Sequence, residues 1–172
     1  MPAVQTAAPL SRDLTIDGIG LSVVGIVGLV ASIVVLGGSA TRVIIPWIIV
    51  LVVLSLAQVV VGGGWLRNTI DTAPDAPRDL VIESSSEQLR RAGLPSIVAL
   101  ALLLLALLAV APFAPIVAGL AMGAGATDLR SRSWITGDEE SRGVTILRAT
   151  TPLPFATSRA QMWVRASADQ SG

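Results

Sequence analysis

The side chains that ordinarily carry chemistry near neutral pH are mostly missing from this chain of 172 residues, which contains no Cys, His, Tyr or Lys. That composition removes thiol nucleophiles, imidazole bases, zinc ligation by Cys or His, disulfides and lysine Schiff bases together. Carboxylates remain. Asp138-Glu139-Glu140 are three contiguous acids, but a divalent cation needs further oxygen ligands converging from elsewhere, and the run reads as a solvated turn. Asp71, Asp75 and Glu87 could act as acids or bases at a surface, yet nothing in their spacing defines a site. The expectation is therefore a protein that is not an enzyme, with no catalytic residue, no cofactor and no metal.

Two polar side chains stand inside apolar surroundings: Ser55 and the amide of Gln58. An amide there bonds to a neighbouring helix or lines a polar path, and structural bonding is the simpler reading. A second pattern is a stripe of small residues. Gly18, Ser22, Gly25, Gly28 and Ser32 recur at spacings of three, four and seven, and Gly119 with Gly123 forms a small-xxx-small pair. Such stripes let helix backbones approach closely, either within one chain or between copies.

The elements that must position these residues are read from where charge is absent. Gly18 to Thr41 and Val43 to Leu66 are each 24 residues without an ionisable side chain, and Ala92 to Thr127 is a further 36. With 52% apolar residues and a mean hydropathy of +0.73, the composition predicts an all-α integral membrane protein. The first two stretches are long enough for one span each. The third holds Ala111-Pro-Phe-Ala-Pro115, where prolines favour a turn between two helices. Four transmembrane helices follow, at about 18–38, 43–65, 93–111 and 114–127, making two hairpins. They are flanked by an N-terminal segment 1–17, a loop 67–91 and a C-terminal tail 128–172. A signal cleavage at Gly38-Ser39-Ala40 is disfavoured because Asp13 and Asp17 stand where cationic residues belong.

All twelve basic residues are arginine. Four spans with both termini inside put eleven of them on the cytoplasmic side and one outside, whereas three spans split them seven to five, so the positive-inside bias selects four spans in the cell membrane. Trp47 and Trp65 stand 18 residues apart as anchors at the two interfaces, and Trp134 with Arg130 and Arg132 anchors the last helix at headgroup level. In the tail, 143–148 and 161–165 have the composition of a small β-hairpin joined through 151–155. Residues 76–91 could form an interfacial helix, with Ser84 to Ser86 starting a turn. The partners expected are the lipid bilayer and either further copies of the chain or a larger membrane complex, not nucleic acid, which would need a broader basic surface. The functional expectation is a non-enzymatic structural or accessory subunit assembling through its small-residue helix faces. The alternative is a small transporter or pore with an uncharged path past Ser22, Ser55 and Gln58.

Overall fold

Four short strands at one end of the protein gather pieces from both ends of the sequence. The computed structural model describes residues 6–36, 40–57, 63–90, 94–108, 113–150 and 161–167. In chain order the elements are β1 (Thr6–Pro9), α1 (Leu10–Leu36), α2 (Ala40–Ala57), α3 (Gly63–Asp71), β2 (Val81–Ile82), α4 (Ser85–Gln88), α5 (Leu94–Leu108), α6 (Phe113–Arg142), β3 (Val144–Ala149) and β4 (Met162–Ala166). The strands form one mixed sheet of order β2-β1-β3-β4, with β1 parallel to β2 and antiparallel to β3, and β3 antiparallel to β4.

Alternation along the two longest strands builds a core on each face of this sheet. Ile146 and Met162 point to one side, where they pack with Leu10, Leu14, Ile70 and Ile135. Their neighbours Leu147 and Trp163 point to the other, against Ala7 and Leu80. Gly143 joins α6 to β3 in the left-handed conformation, with φ of 63°, the usual way for glycine to close a helix before the chain reverses.

Away from the sheet, α1 and α6 run antiparallel. The paired positions show it: Gly18 lies by Gly125 and Leu129, and Gly25 by Ala118 and Met122. Val24, Leu104 and Ala118 form a third, smaller cluster where α5 joins them, with Trp47 of α2 packed alongside.

This architecture corrects the expected four-helix, all-α transmembrane bundle and with it the multi-pass assignment. Among the described residues there are six helices and a four-stranded mixed sheet, and one helix, over Leu10–Val35, is long and apolar enough to cross a membrane. The absence of charge marked where spans could lie but not where helices begin and end. Within the second uncharged stretch, α2 and α3 are described on either side of residues 58–62, which lie outside the described residues. The described part of α5, Leu94–Leu108, has 15 residues, about 22 Å of rise against a hydrocarbon core of about 30 Å. The last stretch does not stop at Thr127: α6 continues for 15 more residues through charged sequence to Arg142. Strands 144–149 and 162–166 do pair as a hairpin, but as half of a sheet that also recruits β1 and β2 from segments read as irregular. Residues 151–160, which join them, lie outside the described residues.

Candidate functional site

The charged first third of α1 meets the sheet and the middle of α6, and a buried polar cluster forms there. Asp13 and Asp17 are four residues apart on α1 and so share a face. The Arg148 side chain, on β3, is 9% exposed, and its Nη1 lies 3.4 Å from Asp13 Oδ2. The other Asp13 oxygen accepts a hydrogen bond from the Gln88 amide. Gln88 is itself buried and accepts from Arg12 Nε at 2.7 Å, while Arg12 reaches Ser85 Oγ at 2.8 Å and the Glu83 carbonyl at 2.6 Å. Helix α4, which carries Gln88, is a single turn held by a capping box: the Ser84 hydroxyl accepts from the Glu87 amide, and Glu87 accepts from the Ser84 amide. The Ser84 hydroxyl also donates to the Glu87 carboxylate at 2.7 Å, and this bond, with that from the Ser84 amide, keeps the Glu87 carboxyl below its ordinary range.

Asp128 of α6 completes the cluster. Burial pushes its carboxyl up to about 7, the charges of Asp17 and Asp13 push the same way, and Arg148 opposes them. Asp13 thus pairs directly with the buried Arg148, Asp128 feels the charges of all three neighbours, and a proton on Asp128 relieves the excess negative charge. Eleven residues further along α6, Glu139 accepts from the Ile146 amide at 2.7 Å and ties the helix to β3; burial raises its carboxyl. The cluster can hold a proton and fix the helices to the sheet. Among the described residues no group of three or more acids is arranged to hold a metal ion.

The residues singled out in the sequence fall into three groups. The small residues come together inside the chain. A methyl group added at Gly125 would stand 2.6 Å from Ser22 Oγ, at Gly18 2.8 Å from Leu129, at Gly25 2.7 Å from Met122 and at Gly28 3.0 Å from Leu104. Ser32 is buried and returns its hydroxyl to the Gly28 carbonyl at 2.7 Å, and the Gly123 carbonyl accepts from Thr127 at 2.9 Å. Gly119 faces Trp47, whose backbone carbonyl would lie 3.0 Å from an added methyl. Trp47 is therefore packed between helices, its indole nitrogen buried with no acceptor among the described residues.

The second group is the anchors of the last helix. Trp134 packs on the core beside Leu66 and carries the Arg67 guanidinium 4.8 Å above its ring, while Arg130 and Arg132 are exposed. Gln58 lies outside the described residues, and the side chains of Ser55 and Trp65 do as well.

The third group, the acids, is dispersed. Asp71 pairs with Arg142 at 2.7 Å, Asp75 bridges to Val164, Asp138 lies 3.1 Å from Arg142, and Glu140 is exposed. Sequence reasoning missed the Asp13–Asp17–Asp128–Arg148 cluster. Its signal was available: Asp17 and Asp128 are the acids that border two of the uncharged stretches, Asp17 before Gly18 and Asp128 after Thr127. No family model, curated protein or solved structure matches this chain.

Proposed function

We propose that this protein is a non-enzymatic accessory subunit held in a lipid bilayer through α1, with its sheet-based head at the membrane surface, where it joins a larger membrane complex or further copies of itself. One observation carries the reading: the exposed large apolar side chains lie mostly on α1, α2, α5 and the start of α6, with Val81, Ile82 and Leu89 as the exceptions in the head. On α1 they begin at Ile19 and continue through Val23, Val27, Val30 and Val34, and α2, α5 and the start of α6 add more, whereas Leu10, Leu14, Ile70, Ile135, Ile146 and Trp163 of the head are buried. A surface of contiguous Val, Ile and Leu far exceeds the apolar patches that soluble monomers expose, and lipid is the solvent that suits it.

The α1–α6 contact consumes the small-residue stripes within the chain, so assembly uses other surfaces. The exposed strand residues Val81 and Ile82 and the lateral faces of α2 and α5 are those available. The test is extraction of native membranes with alkaline carbonate, followed by affinity purification in mild detergent. Retention in the pellet, lost in Val27→Asp/Val30→Asp, together with a stoichiometric partner or a homo-oligomer, is the expected result. Release of the wild-type chain by carbonate overturns the anchoring; a chain that is monomeric and alone in several detergents and in bilayers overturns the subunit role.

A further inference from the structure

The described arginines differ in how far the fold engages them. Arg12, Arg142, Arg148 and Arg165 are committed to partners within the fold. Arg67 and Arg130 are exposed, and the described residues offer neither one a carboxylate. One of them touches the Trp134 indole and the other precedes it by one helical turn. Arg67 lies over the Trp134 ring, and Arg130, four residues before Trp134 on α6, occupies the same helix face one turn nearer the apolar end. The acids closest in sequence are engaged elsewhere: Asp71 is bonded to Arg142, and Asp128 belongs to the buried cluster with Asp17 and Arg148.

The level of this pair along the molecule is fixed by the antiparallel contact. Leu129, the neighbour of Arg130, lies against Gly18, and the exposed apolar surface of α1 begins at the next residue, Ile19. Two unpaired guanidiniums and a tryptophan therefore stand where apolar surface gives way to the polar head. Guanidinium groups bind phosphate through paired N–H donors, and an indole suits the boundary between acyl chain and water.

We propose that Arg67, stacked on Trp134, and Arg130, one helical turn nearer the apolar end, form a binding site for the phosphate of an anionic phospholipid headgroup. The proposal rests on the anchoring reading above. Continuity with the apolar surface selects a lipid over free phosphate, since the acyl chains would lie along α1 and α6 while the headgroup meets the arginines. Arg132, on another side of α6, adds positive charge at the same level.

The experiment uses the full chain in neutral detergent with equimolar phosphatidylglycerol and phosphatidylcholine, with bound lipid read by native mass spectrometry. About 1 kcal/mol per arginine at an anionic surface corresponds to roughly fivefold each. The wild type should retain phosphatidylglycerol by at least tenfold, Arg67→Gln/Arg130→Gln should fall to near parity with an unchanged thermal midpoint, and Arg78→Gln should behave as wild type. Equal retention of the two lipids by the wild type, or an unchanged preference in the double variant, overturns the site. Displacement of the lipid by 10 mM inorganic phosphate (roughly the range in which free phosphate would compete for guanidinium donors) overturns its assignment to a lipid. Release of the chain from pure phosphatidylcholine vesicles by alkaline carbonate overturns the anchoring reading and this site with it; a chain that stays but shows no headgroup preference overturns the site alone.

Discussion

Arg148 of β3 is joined to Asp13 of α1 by an ion pair of 3.4 Å, the guanidinium buried and the carboxylate partly so. It links two segments separated by most of the chain, and it is the positive centre around which Asp17 and Asp128 are also grouped.

Removing that centre leaves buried carboxylates uncompensated, a costlier state than removing the whole pair. Arg148→Met should destabilise the protein by about 3 kcal/mol or more, and the double variant Arg148→Met/Asp13→Leu should recover part of that loss. Thermal or denaturant unfolding in one fixed detergent measures both. A double variant as unstable as the sum of the singles would show that the two side chains are not coupled.

The contact between α1 and α6 is close enough that one methyl group matters. At Gly125 an added Cβ meets Ser22 Oγ at 2.6 Å and the Gly18 carbonyl at 2.7 Å, and backbone cannot swing aside as a long side chain can. Gly125→Ala should cost about 1–3 kcal/mol through overpacking, and Gly125→Leu more.

Gly137 supplies the opposite case on the same helix. Nothing lies within 4 Å of its would-be Cβ, and it is exposed in the interior of α6. Gly137→Ala should therefore raise stability by about 0.5–1 kcal/mol, mainly by restricting the unfolded chain. A fall in the unfolding midpoint would mean that this turn of α6 is not regular helix.

Asp128 makes stability depend on pH. Its folded value, about 7, lies above the ordinary 3.8, so folding favours the protonated carboxyl. The resulting stabilisation is full below about pH 4 and is lost as pH rises through 7. The wild type should lose on the order of 2 kcal/mol, or about 5 °C in midpoint, between pH 5 and 8 relative to Asp128→Asn. Parallel midpoint curves for the two proteins across that window would refute the assignment.

How much of this was legible in the sequence depends on the element. The small-residue stripes lie where helix α1 meets α6 closely, but nothing in a stripe says whether its partner is the same chain. Valines, threonine and isoleucine made β3 and β4 readable. Strands β1 and β2 were not, since Thr6–Pro9 and Val81–Ile82 are too short to display a period and pair only with residues remote in sequence. The uncharged stretches were misread as spans of matching length. Helix α6 shows why: its hydrogen-bond ladder is indifferent to whether side chains are apolar or charged, and it passes Asp128 without a break. The buried cluster was hidden because its members come from three elements, and only the fold brings Arg148 to Asp13.

The pairing of β1 with β3 sets an order of events during synthesis. Ala7 lies opposite Ala149, and β3 in turn pairs with β4 as far as Ala166. At about 5–20 residues per second a ribosome needs roughly 7 to 28 s to travel from one partner to the other. Throughout that interval the first strand has no antiparallel neighbour, while α1, directly behind it, is already complete. The helical end is thus able to reach its destination before the head closes, and removal of the last thirty residues, β3 included, should leave the earliest-made strand without its mate.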